Sequence, residues 1–203
     1  MLRQWAVVFW LFWAGLACAR EPEILHSELH RAADGVQLSV RLALEPAPAV
    51  EDVLHKGVPI YFVWEADVVR ERWYWTDKRI SSVSRTLRLA YQPLTRRWRV
   101  SLSTDGSASA TGLQYALHQS FDSLDEALVG VGRVAGWQVV EPGRLDEDSP
   151  HKLQWRFRLD LSLLPRPFQI GMASQPGWNV EVERTMDVPA HNEGDAAAGG
   201  EAR

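Results

Sequence analysis

Between Arg70 and Arg99 the chain carries nine Lys or Arg residues against two Asp or Glu, although its net charge at neutral pH is −4. Several of these bases alternate with large apolar residues. Arg88 stands between Leu87 and Leu89, Arg97 and Arg99 flank Trp98, and further on Arg156 and Arg158 flank Phe157. Arg70 and Arg72 adjoin the aromatic run Trp73-Tyr74-Trp75. A guanidinium presents its donors in a planar fork that matches carboxylate or phosphate oxygens. Arg70, Arg72, Arg88, Arg97, Arg99, Arg156 and Arg158 are therefore the candidate binding residues, for an anionic ligand or an acidic protein surface. Ordinary sheet chemistry is the rival explanation. Exposed Arg blocks edge-to-edge pairing and gains about 0.5–1 kcal/mol when it stacks on a ring. Nucleic acid is not expected as a partner, because the overall charge is negative and no recognition motif is present.

Other chemistry is weakly supported. "HSELH" places His26 and His30 four apart, but on a strand the two rings would lie about 13 Å apart, and the H-E-x-x-H order of zinc proteases is not matched. His118 and His151 are expected on the polar sides of strands. Asp122, Asp125 and Glu126 fall where the first turn of a helix favours acidic residues. The run "EPGRLDED", Glu141 to Asp148, lacks the regular spacing of a calcium loop. There is no G-x-S-x-G elbow, phosphate loop or dinucleotide fingerprint; Gly130 and Gly132 form G-x-G inside a helical pattern. The expectation is a protein with no catalytic residues, no metal and no cofactor. A hydrolase whose site carries no local motif is an alternative.

The two ends differ from the middle. Arg3, an apolar run from Trp5 to Leu16 and the A-x-A pattern Ala17-Cys18-Ala19 make a secretory signal, with cleavage expected after Ala19. The run is shorter than the roughly 20 residues of a membrane span. Cys18, the single cysteine, leaves a second reading open: lipidation at Cys18, or a retained signal, would anchor the chain to the inner or outer membrane. On the plain reading the mature chain has no thiol, hence no disulfide, thiolate metal site or cysteine nucleophile. The expected location is the periplasm. After Val188 no large apolar residue occurs, so 189–203 is expected to be a disordered tail. A single domain, 20–188, lies between.

Period-two alternation runs through that domain. Val36, Leu38, Val40, Leu42 and Leu44 share a face opposite Gln37, Ser39 and Arg41. Leu113, Tyr115, Leu117 and Phe121 share another. Leu153, Trp155, Phe157, Leu159 and Leu161 alternate with Lys152, Gln154, Arg156, Arg158 and Asp160. Leu87, Leu89 and Tyr91 lead into a turn at Pro93–Arg97, and Trp98, Val100 and Leu102 return. Weaker strands are Ile24–His30, Trp137–Val140 and Trp178–Val182. One-sided burial of this kind belongs to antiparallel sheets. Two helices interrupt them. One runs from Ala49 to Lys56, stopped by Gly57. The other follows the capping box Ser123-x-x-Glu126 and uses Leu124, Ala127, Leu128, Val131 and Ala135, stopped by Gly136. Both sit in strand–helix–strand segments of similar pattern. From Ile60 the face Phe62, Trp64, Ala66, Val68 loses its parity after Val69, so a β-bulge is expected near Val68-Val69.

Four phrases, "GVPIYFVWE", "RWYWTDK", "LRLAYQPLTRRWRVS" and "RFRLDLSLLPRPFQI", resemble an exported proteobacterial family catalogued as domain of unknown function 4390. The resemblance runs from about Glu23 to Val182 and brings no activity with it. It implies a gene neighbourhood shared with a nitrogen-regulation-type sensor kinase and an rRNA methyltransferase, and so a membrane sensor protein as partner. The fold expected is mainly β: an antiparallel β-sandwich or strongly curved sheet with two short α-helices. The function expected is a non-enzymatic ligand- or protein-interaction module of the cell envelope with a basic and aromatic sheet face, meeting an anionic envelope ligand or a protein. The alternative is a periplasmic partner or regulator of a membrane sensor kinase.

Overall fold

The computed structural model describes residues 22–32, 34–70, 78–103, 117–146, 149–166 and 176–189. The signal segment, residues 190–203 and the run from Glu71 to Asp77 lie outside the described residues. Among the described residues nine strands form two antiparallel sheets. β1 (Glu23–Ala32), β2 (Gly35–Ala43) and β7 (Arg133–Val140) make the small sheet, in the order β1-β2-β7. The large sheet contains β3 (Ile60–Arg70), β4 (Lys78–Gln92), β5 (Arg97–Ser103), β6 (Leu117–Phe121), β8 (His151–Leu159) and β9 (Glu181–Asp187). Its order is β6-β5-β4-β3-β8-β9. Helix α1 (Pro48–His55) leads from β2 to β3, and helix α2 (Leu124–Val131) leads from β6 to β7. Both strand–helix–strand segments cross between the sheets, in opposite directions.

The inner face of the large sheet follows from the alternation. Across β4, β3 and β8 the register sets Leu87, Phe62 and Leu159 in one row, Arg85, Trp64 and Phe157 in the next, and Val83, Ala66 and Trp155 in a third. Phe62 stacks on Phe157 at 5.6 Å, and Trp64 lies 4.7 Å from Phe157 and 5.7 Å from Trp155. The small sheet closes over one part of this face with Val36, Leu38, Val40, Val134 and Trp137, and the helices close over the rest with Val50, Val53, Leu54, Ala127, Leu128 and Val131. Polar ties cross between the layers. Trp64 Nε1 donates to Val131 O (3.1 Å), Trp155 Nε1 to Ser27 Oγ (3.2 Å), and Ser81 Oγ to Val139 O (2.6 Å). No helix among the described residues is long and apolar enough to cross a membrane.

Several boundaries differ from expectation. The expected bulge is present: the β3–β4 register shifts between Val68 and Val69. The capping box is also present, with Ser123 Oγ accepting from Glu126 N at 3.2 Å, while Glu126 Oε2 accepts from Asp122 N. But α2 stops at Val131, and Ala135 and Gly136 belong to β7. Gly132 ends the helix because its carbonyl accepts from Leu42 N (2.9 Å), which turns the chain onto β2. The hairpin turn is Pro93–Arg96, and Arg97 already pairs with Gln92. Trp178 is buried in a 3-10 turn, Pro176–Trp178, and Leu161 begins another, Leu161–Leu163. Of the strand expected over Leu113–Phe121, the part up to residue 116 lies outside the described residues.

Gly35 is a backbone requirement of this arrangement. It turns the β1–β2 hairpin at φ 115°, and a Cβ there would meet Val140 O at 2.2 Å. Gly35→Ala is expected to lower the unfolding free energy by about 2–3 kcal/mol, since both the conformation and the space forbid a side chain. At Gly57, φ 81° with nothing within 4 Å, the Ala substitution meets only the conformational cost, about 1 kcal/mol. Urea midpoints of the two variants check the ranking.

Candidate functional site

The outer face of the large sheet carries the opposite parity. On β5 it presents Arg97, Arg99, Ser101 and Ser103; on β4, Thr86, Arg88, Ala90 and Gln92; on β6, His118 and Ser120; on β3, Tyr61, Val63, Glu65 and Asp67; on β8, Lys152, Gln154, Arg156 and Arg158. This is where the alternation of bases and apolar residues leads.

The structure does not bring the seven candidate arginines together as one band. Arg97 folds onto Asp122, with Nε at 2.8 Å and Nη2 at 2.7 Å from one carboxylate oxygen. Arg156 meets Glu183 through Nη2 (2.8 Å) and Glu181 through Nε (3.3 Å). Arg158 bridges Glu65 (3.1 Å) and Asp160 (3.0 Å). Arg70 leaves the face altogether. By its register with His151 it continues the inner row of Val68 and Leu153, and it pairs with Asp146. Arg72 lies outside the described residues. The carboxylates come from other strands and loops, so a count along Arg70–Arg99 misses them.

Arg88 and Arg99 remain. Arg88 faces Tyr61 on one side and Ser101 on the other; Arg99 faces Ala90 and Ser120. They are diagonal neighbours across β4 and β5, about 7 Å apart at Cα. Both are half-buried, and no carboxylate among the described residues pairs with either. Arg99 Nε is buried without a hydrogen-bond partner, and so is Ser103 Oγ, two rungs along the same strand. Ser103 is 0% exposed and Ser101 is 2%. Ser101 Oγ and His118 Nδ1 are 2.9 Å apart, and His118 itself is exposed. Tyr61, Val63, Thr86 and Ala90 around them are buried. The result is a recessed patch with two guanidinium groups, hydroxyls and an imidazole. A buried donor left without an acceptor costs about 1–3 kcal/mol, which an arriving anion would recover.

Two titratable groups lie on the inner side. Arg85 shares the row of Trp64, and its Cζ sits 4.8 Å over the Trp137 ring. Burial lowers its pKa, and the ring face supplies part of the lost solvation. The parity Val83-Arg85-Leu87-Leu89 is the signal that could have found it. His151, expected at the surface, is 3% exposed. It has the parity of Leu153 and Trp155, so it turns inward. Burial pushes its pKa down, against a backbone hydrogen bond with Ser149 and the nearby Asp146 carboxylate; the Arg31 and Arg70 charges push it down further. Elsewhere the histidines are dispersed: His26 and His30 are exposed along β1, and His55 packs edge-on against Tyr91 (5.2 Å) and Trp98 (5.3 Å). Among the described residues no three His, Cys, Asp or Glu are grouped to hold a metal ion.

A family model, described as "Domain of unknown function (DUF4390)", matches residues 19–186. No curated protein matches the chain, and neither does any solved structure.

Proposed function

The chain belongs to the DUF4390 family, and from that premise we propose that it is a non-enzymatic binding module of the cell envelope whose Arg88–Arg99 patch recognises an anionic group. The observation that carries the reading is the contrast among the outer-face arginines. Three are neutralised by carboxylates, while Arg99 keeps a buried Nε without a partner, and the buried Ser103 hydroxyl in the row next to Arg88 lacks one too. Charge-assisted hydrogen bonds from such a recess to carboxylate or phosphate oxygens are worth about 1.5–3 kcal/mol each. The secretory pattern of residues 3–19 supports export to the periplasm.

Titration of the protein with inorganic phosphate, with phosphatidylglycerol vesicles and with an N-acetylated oligoglutamate peptide separates the sources of the anion. At least one probe is expected to bind. The Arg88→Glu/Arg99→Glu double variant is expected to weaken it by tenfold or more, while Arg156→Glu changes it less than threefold. Binding by none of the three, or equal binding by the double variant, overturns the reading.

The Ser101–His118 hydrogen bond favours a second reading, a hydrolase with Ser101 as nucleophile. The near-complete burial of Ser101 in the middle of a strand opposes it, because a nucleophile must be reachable by substrate. Turnover of p-nitrophenyl acetate or p-nitrophenyl phosphate that is lost in Ser101→Ala would establish it; no turnover leaves the binding reading.

A further inference from the structure

We propose that β6 is a docking edge that accepts an extended partner segment as an added strand, one that alternates apolar and acidic residues. This rests on the anion-binding reading of Arg88 and Arg99 and names the partner that would use it.

Edge strands expose unpaired backbone N–H and C=O groups, and proteins blunt them with charge, proline, bulges or cover. Among the described strands three of the four edges are blunted. β9 carries Glu181, Glu183, Arg184 and Asp187. β1 carries Glu23, Glu28 and Arg31 and has an irregular register between Ile24 and His26. β7 starts at Arg133 and shifts register twice against β2. β1 and β9 also lean on each other, through Ser27 Oγ to Met186 Sδ (3.0 Å) and Arg31 Nη1 to Pro189 O (3.2 Å). β6 reads Leu117-His118-Gln119-Ser120-Phe121, with no charged residue and no proline; its register with β5 is unbroken, and its first four residues are exposed.

The two sides of β6 offer different chemistry, as side-chain alternation in a bound strand requires. On the inner side a mostly apolar recess of about 150 Å³ lies between β6 and α2, walled by Leu87, Val100, Leu102 and Leu117, with Gln119 and Arg133 at its polar margin. A cavity of that size holds a group as large as benzene, so it admits one branched or aromatic side chain. Gly130, on the wall of the recess, lets the Phe121 ring pack against α2: a Cβ there would lie 3.0 Å from that ring. Leu117, one of its walls, is 51% exposed. On the outer side the added strand would run next to His118 and Ser120, with Arg99 on the strand beyond. Two strand spacings are about 10 Å, within the joint reach of a glutamate and an arginine. The partner's inward residues are therefore apolar and its outward residues acidic. Backbone pairing supplies affinity that does not depend on sequence, and the alternation supplies selectivity.

The probe is an N-acetylated, fluorescein-labelled heptapeptide, Val-Glu-Leu-Glu-Val-Glu-Leu, tested by anisotropy against the full chain. Two controls share its length: one with the same residues in blocks, the other with Lys for Glu. The alternating peptide is expected to bind at least tenfold more tightly than either, and to slow amide hydrogen exchange across Leu117–Phe121. Leu117→Lys/Gln119→Lys, which charges the edge, is expected to weaken the peptide by tenfold or more and to leave binding of the anion probe at Arg88 and Arg99 unchanged. Arg99→Glu is expected to weaken both. Strand addition is overturned if the three peptides bind alike, if the charged edge binds the peptide normally, or if β6 exchange is unchanged by bound peptide. Anion binding that persists in those cases leaves the patch standing without the edge. The exchange measurement uses the unsubstituted protein, so a variant that fails to fold does not remove the test.

Discussion

Trp64→Ala is expected to lower the unfolding free energy by about 4 kcal/mol. Trp64 is 0% exposed and sits at the centre of the inner face. Its ring lies against Phe157 and Trp155, and its Nε1 donates to Val131 O (3.1 Å) at the end of α2. Helix ends leave carbonyls without intrahelical partners, and this bond satisfies one of them in the interior. Truncation opens a cavity between the sheet and the helix and strands that carbonyl. Trp64→Phe keeps most of the ring and loses only the hydrogen bond and part of the volume, so about 1–2 kcal/mol is expected. A domain of this kind has about 5–15 kcal/mol in total, so the alanine variant consumes a large share of it. Urea unfolding followed by far-UV circular dichroism gives both numbers. Equal losses for Ala and Phe would mean that the bond to Val131, and not the ring, carries the contact.

What alternation could reveal, it revealed. A strand has only two faces, so parity assigns every side chain once the strand is recognised, and the break at Val68-Val69 was visible as a break in parity. Arg85 was passed over and His151 was misread because residue type was allowed to outweigh parity. Both stand in the odd-numbered inner rows of β4 and β8. The extent of α2 was ambiguous for a different reason. Val131, Val134 and Ala135 fit a helix, while Val134, Trp137, Val139 and Val140 are the buried residues of a strand. The contact that decides, Gly132 O with Leu42 N, joins segments far apart in the chain. The candidate site was the least legible part. Each arginine could be seen, but whether it is free depends mainly on Glu65, Asp122, Glu181 and Glu183, which only the fold brings near. Composition supplied seven candidates, and topology reduced the unpaired outer-face pair to Arg88 and Arg99.

The paired arginines have a use of their own, and Asp160 shows it. The carboxylate is buried where β8 ends, and burial alone would raise its pKa. Hydrogen bonds from Ser162 Oγ (2.6 Å) and Ser162 N (2.9 Å), together with the Arg158 guanidinium at 3.0 Å, outweigh that and hold the pKa below the usual carboxylate value. Asp160 thus caps the 3-10 turn Leu161–Leu163 and ties it to β8. Asp160→Ala is expected to cost about 2–3 kcal/mol at pH 7: about 1 for the cap and the rest for leaving Arg158 short of a charged partner. The sign of the pH dependence follows from the direction of the shift. In acid the unfolded chain binds the proton more readily than the folded one. The stabilisation from this group is therefore complete above the unfolded pKa, about 3.9. It declines as the pH falls from there and is lost once the pH passes below the folded value. Asp160→Asn keeps the shape and removes the charge. Its deficit relative to the unsubstituted protein, read from urea midpoints between pH 7 and pH 2.5, is expected to be constant down to about pH 4–5 and to shrink below that. A deficit that stays the same across the whole range would mean that the carboxylate acts here only as a neutral hydrogen-bond acceptor, and that the Arg158 pair adds nothing to the fold.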